Sequence, residues 1–128
     1  MIQHHLVLDT PTLLALTGNR QVSALVHRAH FEPEVRLWAP ALSILEADAE
    51  YMGLAEHIGQ LEVVHTLDLD YTATLAVARL RRDGVSPGVG AAIHAVRNLP
   101  DWDADALVAT VAAKAYDGRE VPVLDLTR

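Results

Sequence analysis

The chain has no cysteine, and this absence excludes disulfides, zinc–thiolate sites and thiol nucleophiles. Aromatic residues make up only 5% of the sequence, so the core must be built from aliphatic side chains. No apolar run approaches the roughly 20 residues that span a bilayer. The N-terminus lacks a basic stretch followed by an apolar segment, so we expect no signal peptide and a cytoplasmic protein.

Positive charge is also scarce, with 10 lysines and arginines against 17 acids and a net charge of −7. Nucleic-acid-binding proteins usually carry a basic surface, because neutralised phosphates supply most of their non-specific affinity. Contact with RNA would need a local arginine patch or a divalent metal, and the acidity would equally suit a basic partner protein. The 128 residues, 51% of them hydrophobic, fit a single domain over residues 1–128 and exclude a disordered tail.

Strand and helix patterns alternate along the chain. Leu6-Val7-Leu8 is a short apolar run typical of a buried parallel strand, and it ends at Asp9. Further strands are predicted over Val35–Ala39, Leu61–Thr66 and Val121–Leu126, and helices over Thr12–Leu16, Gln21–Phe31, Ala41–Met52, Leu69–Asp83 and Ala91–Arg97, with a loop at Val85–Gly90. This order predicts an α/β fold, a three-layer α/β/α sandwich with a mainly parallel sheet.

Two further expectations follow from these patterns. In parallel sheets ligands bind beyond the carboxyl ends of the strands, which places Asp9 at the edge where a site is expected. In the predicted helix Ala41–Met52, one apolar stripe is expected to face the core, and it consists of Leu42, Leu45, Ala49 and Met52.

Two short motifs resemble those of a known family. Asp9 is followed by the hydroxyl residue Thr10 at the end of the first strand, and Ser43 stands three residues before Glu46 on a helix. These segments are similar to the first two motifs of PIN domains, the fold of VapC-type toxin ribonucleases. The resemblance covers essentially the whole chain and implies a PIN-like fold.

In that family, carboxylates hold Mg²⁺ or Mn²⁺, and the metal activates water for attack on an RNA phosphodiester. The resemblance implies that Asp9 and Glu46 are catalytic metal ligands, oriented by Thr10 and Ser43. It further implies RNA as a substrate, an antitoxin-like protein partner and a homodimer, with no membrane association.

The family's third and fourth acids can be placed in two registers. In the first, Asp105 opens a helix and Asp125 follows a strand, so all four acids are present. In the second, Ala91–Arg97 is the fifth helix and Ala106–Thr110 a strand, Thr110 is the family's threonine, and neither remaining acid position holds a carboxylate.

The end of the chain favours the second register. The second register leaves Tyr116–Gly118 as a turn and Val121–Leu126 as the closing strand, whereas the first register leaves only three residues for that strand. His94 then lies at or near the third acid position, and Ala112 stands where the fourth acid belongs. Two hypotheses follow: a metal-dependent ribonuclease of reduced activity, and a non-catalytic PIN-like module that binds a protein partner or itself.

Overall fold

The computed structural model describes residues 3–98 and 106–127, and within them a parallel sheet forms the centre of the molecule. Its strands are β1 (His4–Leu8), β2 (Val35–Pro40), β3 (Val64–Leu67), β4 (Ala106–Thr110) and β5 (Val123–Asp125). They lie in the order β3-β2-β1-β4-β5, and every neighbouring pair is parallel. The carboxyl ends of β1 and β4, where Asp9 and Thr110 lie, therefore meet at one edge of the sheet.

Helices cover both faces of this sheet. They are α1 (Thr10–Leu14), α2 (Arg20–Phe31), α3 (Ala41–Glu50), α4 (Leu54–Gly59), α5 (Tyr71–Arg82) and α6 (Pro87–Asn98), with a 3-10 helix at Ala113–Tyr116. Over the stretch of chain that the structure describes, none of them is long and apolar enough to cross a membrane.

Two hydrophobic layers, one on each face, make the fold a three-layer α/β/α sandwich. Leu6 and Leu8 of β1 point into the layer formed with α1, α2 and α4, whereas Val7 points into the layer formed with α6. Such alternation is the expected consequence of the two-residue period of a strand. The predicted fold class is confirmed.

The strand that the second register places over Ala106–Thr110 is confirmed by β4. Ala106–Thr110 pairs with β1 on one side and β5 on the other, and Val108 and Ala109 are fully buried. The first register, with a helix opening at Asp105, is wrong, because burial on both faces overrides the helical propensity of this alanine-rich stretch. Asp105 itself lies outside the described residues, and Asp125 lies in β5.

Three local expectations need correction. The segment Val85–Gly90 is not a loop throughout, because α6 already begins at Pro87, a residue suited to the first helical turn. The helix α4 was not predicted. The 3-10 helix Ala113–Tyr116 was not predicted either, and its last residue, Tyr116, has a buried side chain. The turn predicted at Tyr116–Gly118 is present, because the Arg119 N–H donates to the Tyr116 carbonyl (3.1 Å).

The buried face of α3 also differs from expectation. Leu45 is 67% exposed and Met52, just beyond the helix, 90% exposed, so the stripe predicted to face the core lies on the outside. Ser43 and Ala47 are fully buried instead. These small side chains face inward because α3 packs closely against α1, α4 and α6, and bulky residues would not fit there.

Candidate functional site

The carboxylate of Asp9 lies at the carboxyl end of β1 and is fully buried. Its Oδ1 accepts hydrogen bonds from the backbone N–H of Thr12 (3.1 Å) and from the Thr12 hydroxyl (2.6 Å). Its Oδ2 accepts from the Thr110 hydroxyl (2.7 Å) and from the phenol of Tyr116 (2.6 Å). Each carboxylate oxygen thus has two donors, the number that its lone pairs can accept.

The hydroxyl groups of the two threonines that contact Asp9 also accept hydrogen bonds from backbone N–H groups. The Thr12 hydroxyl accepts from the N–H of Val111 (3.1 Å), and the Thr110 hydroxyl accepts from the N–H of Ala112 (2.9 Å). Asp9 therefore joins the end of β1, the start of α1, the end of β4 and the 3-10 helix. We call Asp9, Thr12, Thr110 and Tyr116 the Asp9 network.

Tyr116 is strongly affected by its position in this network. Burial of the phenol raises its pKa well above the usual value, and the negative charge of Asp9 and the hydrogen bond to it raise the pKa further. An ionised phenol would face the carboxylate without water, so the protonated donor is the stable form. The hydrogen bond from Tyr116 to Asp9 consequently persists at alkaline pH.

This pKa predicts how stability depends on pH. Above about pH 10 the unfolded tyrosine loses its proton while the folded Tyr116 keeps it, so the contribution of Tyr116 is complete below that pH and declines above it. The unfolding free energy of the native chain should fall by up to about 1.4 kcal/mol per pH unit more steeply than that of Tyr116→Phe. Urea unfolding between pH 8 and 11 measures this difference. The prediction would be contradicted if the unfolding free energy of the native chain and of Tyr116→Phe changed with pH in parallel.

A second group of predicted site residues gathers around Gly88, near the start of α6. The Glu46 Oε2 accepts from the N–H of Gly88 (3.2 Å), and the Ser43 hydroxyl donates to the carbonyl of Gly88 (2.9 Å). The Thr10 hydroxyl donates to the carbonyl of Ser43 (3.3 Å). Thr10, Ser43 and Glu46 thus fix α6 against α1 and α3.

Position 88 requires glycine for a steric reason. A Cβ atom there would overlap the Thr10 hydroxyl and would lie 2.5 Å from the Glu46 Oε1 and 2.9 Å from the Thr10 Cβ. Thr10 is buried and cannot move aside. Glycine at position 88 therefore permits the contact between α6 and the two other helices.

The structure divides the predicted site residues into these two groups. Asp9 and Thr110 share one network, whereas Thr10, Ser43 and Glu46 share the other. His94 lies apart from both, on α6 beside a small cavity, with its Nδ1 3.2 Å from the Asn98 Nδ2.

Asp125, the fourth acid of the discarded register, has a local role. Its Oδ1 accepts from the N–H (2.9 Å) and the hydroxyl (2.6 Å) of Thr127. These bonds form a turn directly after β5, as aspartate side chains commonly do. Asp125 thus caps the end of the closing strand.

The Asp9 network does not fit a divalent cation. Mg²⁺ requires several oxygen ligands in a near-octahedral arrangement, and Mn²⁺ likewise prefers oxygen donors. The lone pairs of Asp9 are directed at N–H and O–H donors instead, and over residues 3–98 and 106–127 no three His, Asp or Glu side chains group closely enough to hold a metal. The metal and catalytic roles of Asp9 and Glu46 stay predictions.

Three residues of these groups were missed from the sequence. Thr12 could have been found, because Asp three residues before a threonine in the first turn is a common capping arrangement. Tyr116 and Gly88 carry no local pattern that marks them. Tyr116 reaches Asp9 from 107 positions away, and Gly88 contacts Ser43 from 45 positions away.

Comparison with known proteins supports the fold. No protein-family model and no curated protein matches the chain. Among solved structures, a chain of a structure described as "Toxin-antitoxin complex from Klebsiella pneumoniae" is similar with a TM-score of 0.59 and 14% identity, over 94% of this chain and 96% of that one. The similarity extends over nearly the full length of both chains, and at this identity it shows that the two share their α/β/α fold.

Proposed function

We propose that this chain is a PIN-like module of the toxin–antitoxin type that acts by binding a protein partner rather than by hydrolysing RNA. The observation that carries the proposal is the Asp9 carboxylate, which is fully buried and accepts four hydrogen bonds from the chain itself. In a PIN-like ribonuclease the aspartate at this position would hold a catalytic metal. Here the hydrogen bonds of Asp9 join β1, α1, β4 and the 3-10 helix instead.

The positions around Asp9 agree with this proposal. Hydrolysis of a phosphodiester by this chemistry needs open carboxylates whose metal can hold both water and substrate. In the second register Ala112 stands at the fourth acid position, and Tyr116 donates its phenol to Asp9. Glu46 accepts a hydrogen bond from the Gly88 N–H, and over residues 3–98 and 106–127 it belongs to no group of three His, Asp or Glu side chains that could hold a metal.

Two further observations support a protein partner. The structurally similar chain belongs to a toxin–antitoxin complex, an assembly of unlike proteins. The net charge of −7 favours a basic protein over a polyanion. A homodimer, an RNA contact and a cytoplasmic location stay predictions that light scattering, RNA binding and cell fractionation would test.

The alternative is a Mg²⁺- or Mn²⁺-dependent ribonuclease of reduced activity, which the resemblance of the Asp9 and Glu46 motifs favours. The two functions predict opposite results in a cleavage assay. We expect single-stranded RNA to be cleaved no faster with the chain and Mn²⁺ than without the metal, and Mn²⁺ titration to give no saturable heat.

The matched variant for this assay is Glu46→Gln, which preserves the size of the side chain and removes its charge. Any cleavage that Glu46→Gln leaves unchanged comes from a contaminating nuclease. Cleavage that requires Mn²⁺ and disappears in Glu46→Gln would overturn the non-catalytic proposal and establish the ribonuclease.

A further inference from the structure

The outer face of α3 presents an apolar stripe to solvent. Leu42, Leu45 and Ala49 recur at helical spacing on α3, and Met52 follows just beyond the end of the helix. Leu45 and Met52 are among the most exposed large hydrophobic residues of the described chain. Tyr51 beside them is also exposed. Contiguous exposed apolar side chains on a small domain typically mark a surface that binds another protein.

A cavity of about 130 Å³ opens at one end of this stripe. It lies beyond the carboxyl ends of β2 and β3, and its walls are largely apolar side chains, namely Leu42, Leu67, Leu69, Ala73, Ala91 and Ala95. Cavities of roughly 150 Å³ in protein cores accept benzene, so this one has room for a single large apolar side chain. Leu42 belongs to both the stripe and the cavity, which together we call the α3 surface.

The charged residues along the α3 surface are acidic. Asp68 and Asp70 line the cavity, and the helix contributes Glu46, Asp48 and Glu50 while Ala41–Glu50 contains no lysine, arginine or histidine. Asp48 and Asp70 also cap α4 and α5 by accepting hydrogen bonds from backbone N–H groups. His94 lines the cavity as well.

We propose that the α3 surface binds an amphipathic, basic helix of a protein partner. One large apolar side chain of that helix fills the cavity, its neighbours at i+3, i+4 and i+7 cover Leu45 and Met52, and flanking lysines or arginines face Asp68 and Glu50. The inference rests on the proposed partner-binding function and assigns it a place and a partner chemistry.

Charge argues for such a partner over a second copy of the chain. A symmetric dimer through the α3 surface would place the same patch on both sides of the interface. The acidic residues of both copies would then lie within one interface, and like charges brought together across an interface cost several kcal/mol. A basic helix would place lysines or arginines opposite the same carboxylates, and these contacts are favourable.

The probe is a synthetic amphipathic helical peptide with leucines at i, i+3, i+4 and i+7 and lysines along both flanks. Its counterpart carries glutamates in place of the lysines. Binding to the full chain is followed by fluorescence anisotropy at low and at physiological salt. We expect the basic peptide to bind, the acidic one not to bind, and the affinity to fall as salt screens the carboxylates.

Variants locate the binding site. Leu45→Ser should weaken binding at least about tenfold, because it removes a central apolar contact. Asp68→Asn should weaken it a few-fold and reduce the salt dependence. The matched control is Phe31→Ser, since Phe31 is an equally exposed apolar residue (72%) on α2 and its loss should leave binding unchanged. Thermal melting confirms that each variant is folded.

Several results would overturn the α3 surface as this docking site. They are equal loss of binding in Phe31→Ser and Leu45→Ser, equal affinity for the acidic peptide, or a dimer by sedimentation velocity that Leu45→Ser converts to monomer. The last result would show that a second copy covers the surface. The Mn²⁺ cleavage assay tests a separate claim. If the chain cleaves RNA and also binds the peptide, only the non-catalytic function is refuted. If the chain neither cleaves RNA nor binds the peptide, only the docking site is refuted.

Discussion

Asp9→Ala is expected to lower the unfolding free energy by about 3–5 kcal/mol, because it leaves four buried donors without their acceptor. They are the N–H and the hydroxyl of Thr12, the Thr110 hydroxyl and the Tyr116 phenol. A typical domain is stable by only about 5–15 kcal/mol. The variant should therefore melt roughly 10–20 °C lower than the native chain.

The matched control for this experiment is Glu46→Ala. Glu46 is the other carboxylate of the two motifs but is only partly buried and has one backbone partner, so its loss should cost about 1 kcal/mol. The loss of unfolding free energy in Asp9→Asn should lie between those of the other two variants, since an amide oxygen still accepts some of the hydrogen bonds. All three variants are measured by urea unfolding and calorimetry without added metal. Equal stability of Asp9→Ala and Glu46→Ala would contradict a structural role for Asp9.

Gly88→Ala should destabilise the chain by about 2–4 kcal/mol. The added methyl group overlaps the side chain of Thr10, the first residue of α1, which is buried and whose hydroxyl donates to the Ser43 carbonyl. Overpacking of a close helix contact forces the backbone to shift, and the hydrogen bonds of Gly88 to Ser43 and Glu46 lengthen with it. Thermal and urea unfolding give the magnitude.

Gly59→Ala is the corresponding control, because a Cβ at the end of α4 meets nothing within 4 Å. This change should leave stability the same or slightly higher, as alanine favours a helix. The double variant Thr10→Ala with Gly88→Ala tests the named contact, since removing the hydroxyl should restore part of the lost stability. Strictly additive effects of the two substitutions would show that the clash lies elsewhere.

The sequence pattern was sufficient for the strands that run through the centre of the sheet. Leu6-Val7-Leu8 and Val35–Ala39 are short, apolar and bounded by breaking residues, so local rules located them correctly. The strands predicted over Ala106–Thr110 and within Val121–Leu126 are also present, as β4 and β5. In these cases a local pattern and the global fold require the same structure.

The orientation of α3 could not be predicted in this way. Its most hydrophobic face, with Leu42 and Leu45, looked like the core-facing stripe, yet the tight approach of α1, α4 and α6 selects the small residues Ser43 and Ala47. Hydrophobic periodicity assumes that the apolar face is buried within the same chain. The exposed Leu45 on α3 shows that this assumption fails here.

The candidate site was predictable as a set of residues but not as a set of contacts. The motifs identified Asp9, Thr10, Ser43 and Glu46, all of which make long-range or capping hydrogen bonds. Tyr116 could not be identified, because nothing near it in sequence shows that its phenol reaches the end of β1. Its contact depends on the three-dimensional arrangement of β4 and the 3-10 helix.

The central position of β1 has a consequence for how the chain acquires its structure during synthesis. During synthesis β1 precedes its neighbour β4, and Asp9 precedes Tyr116, so both remain incomplete until the chain has been translated past residue 116. Contacts so far apart along a chain form slowly. Until then one apolar edge of β1 is exposed, and this is the period when a chaperone has most to protect.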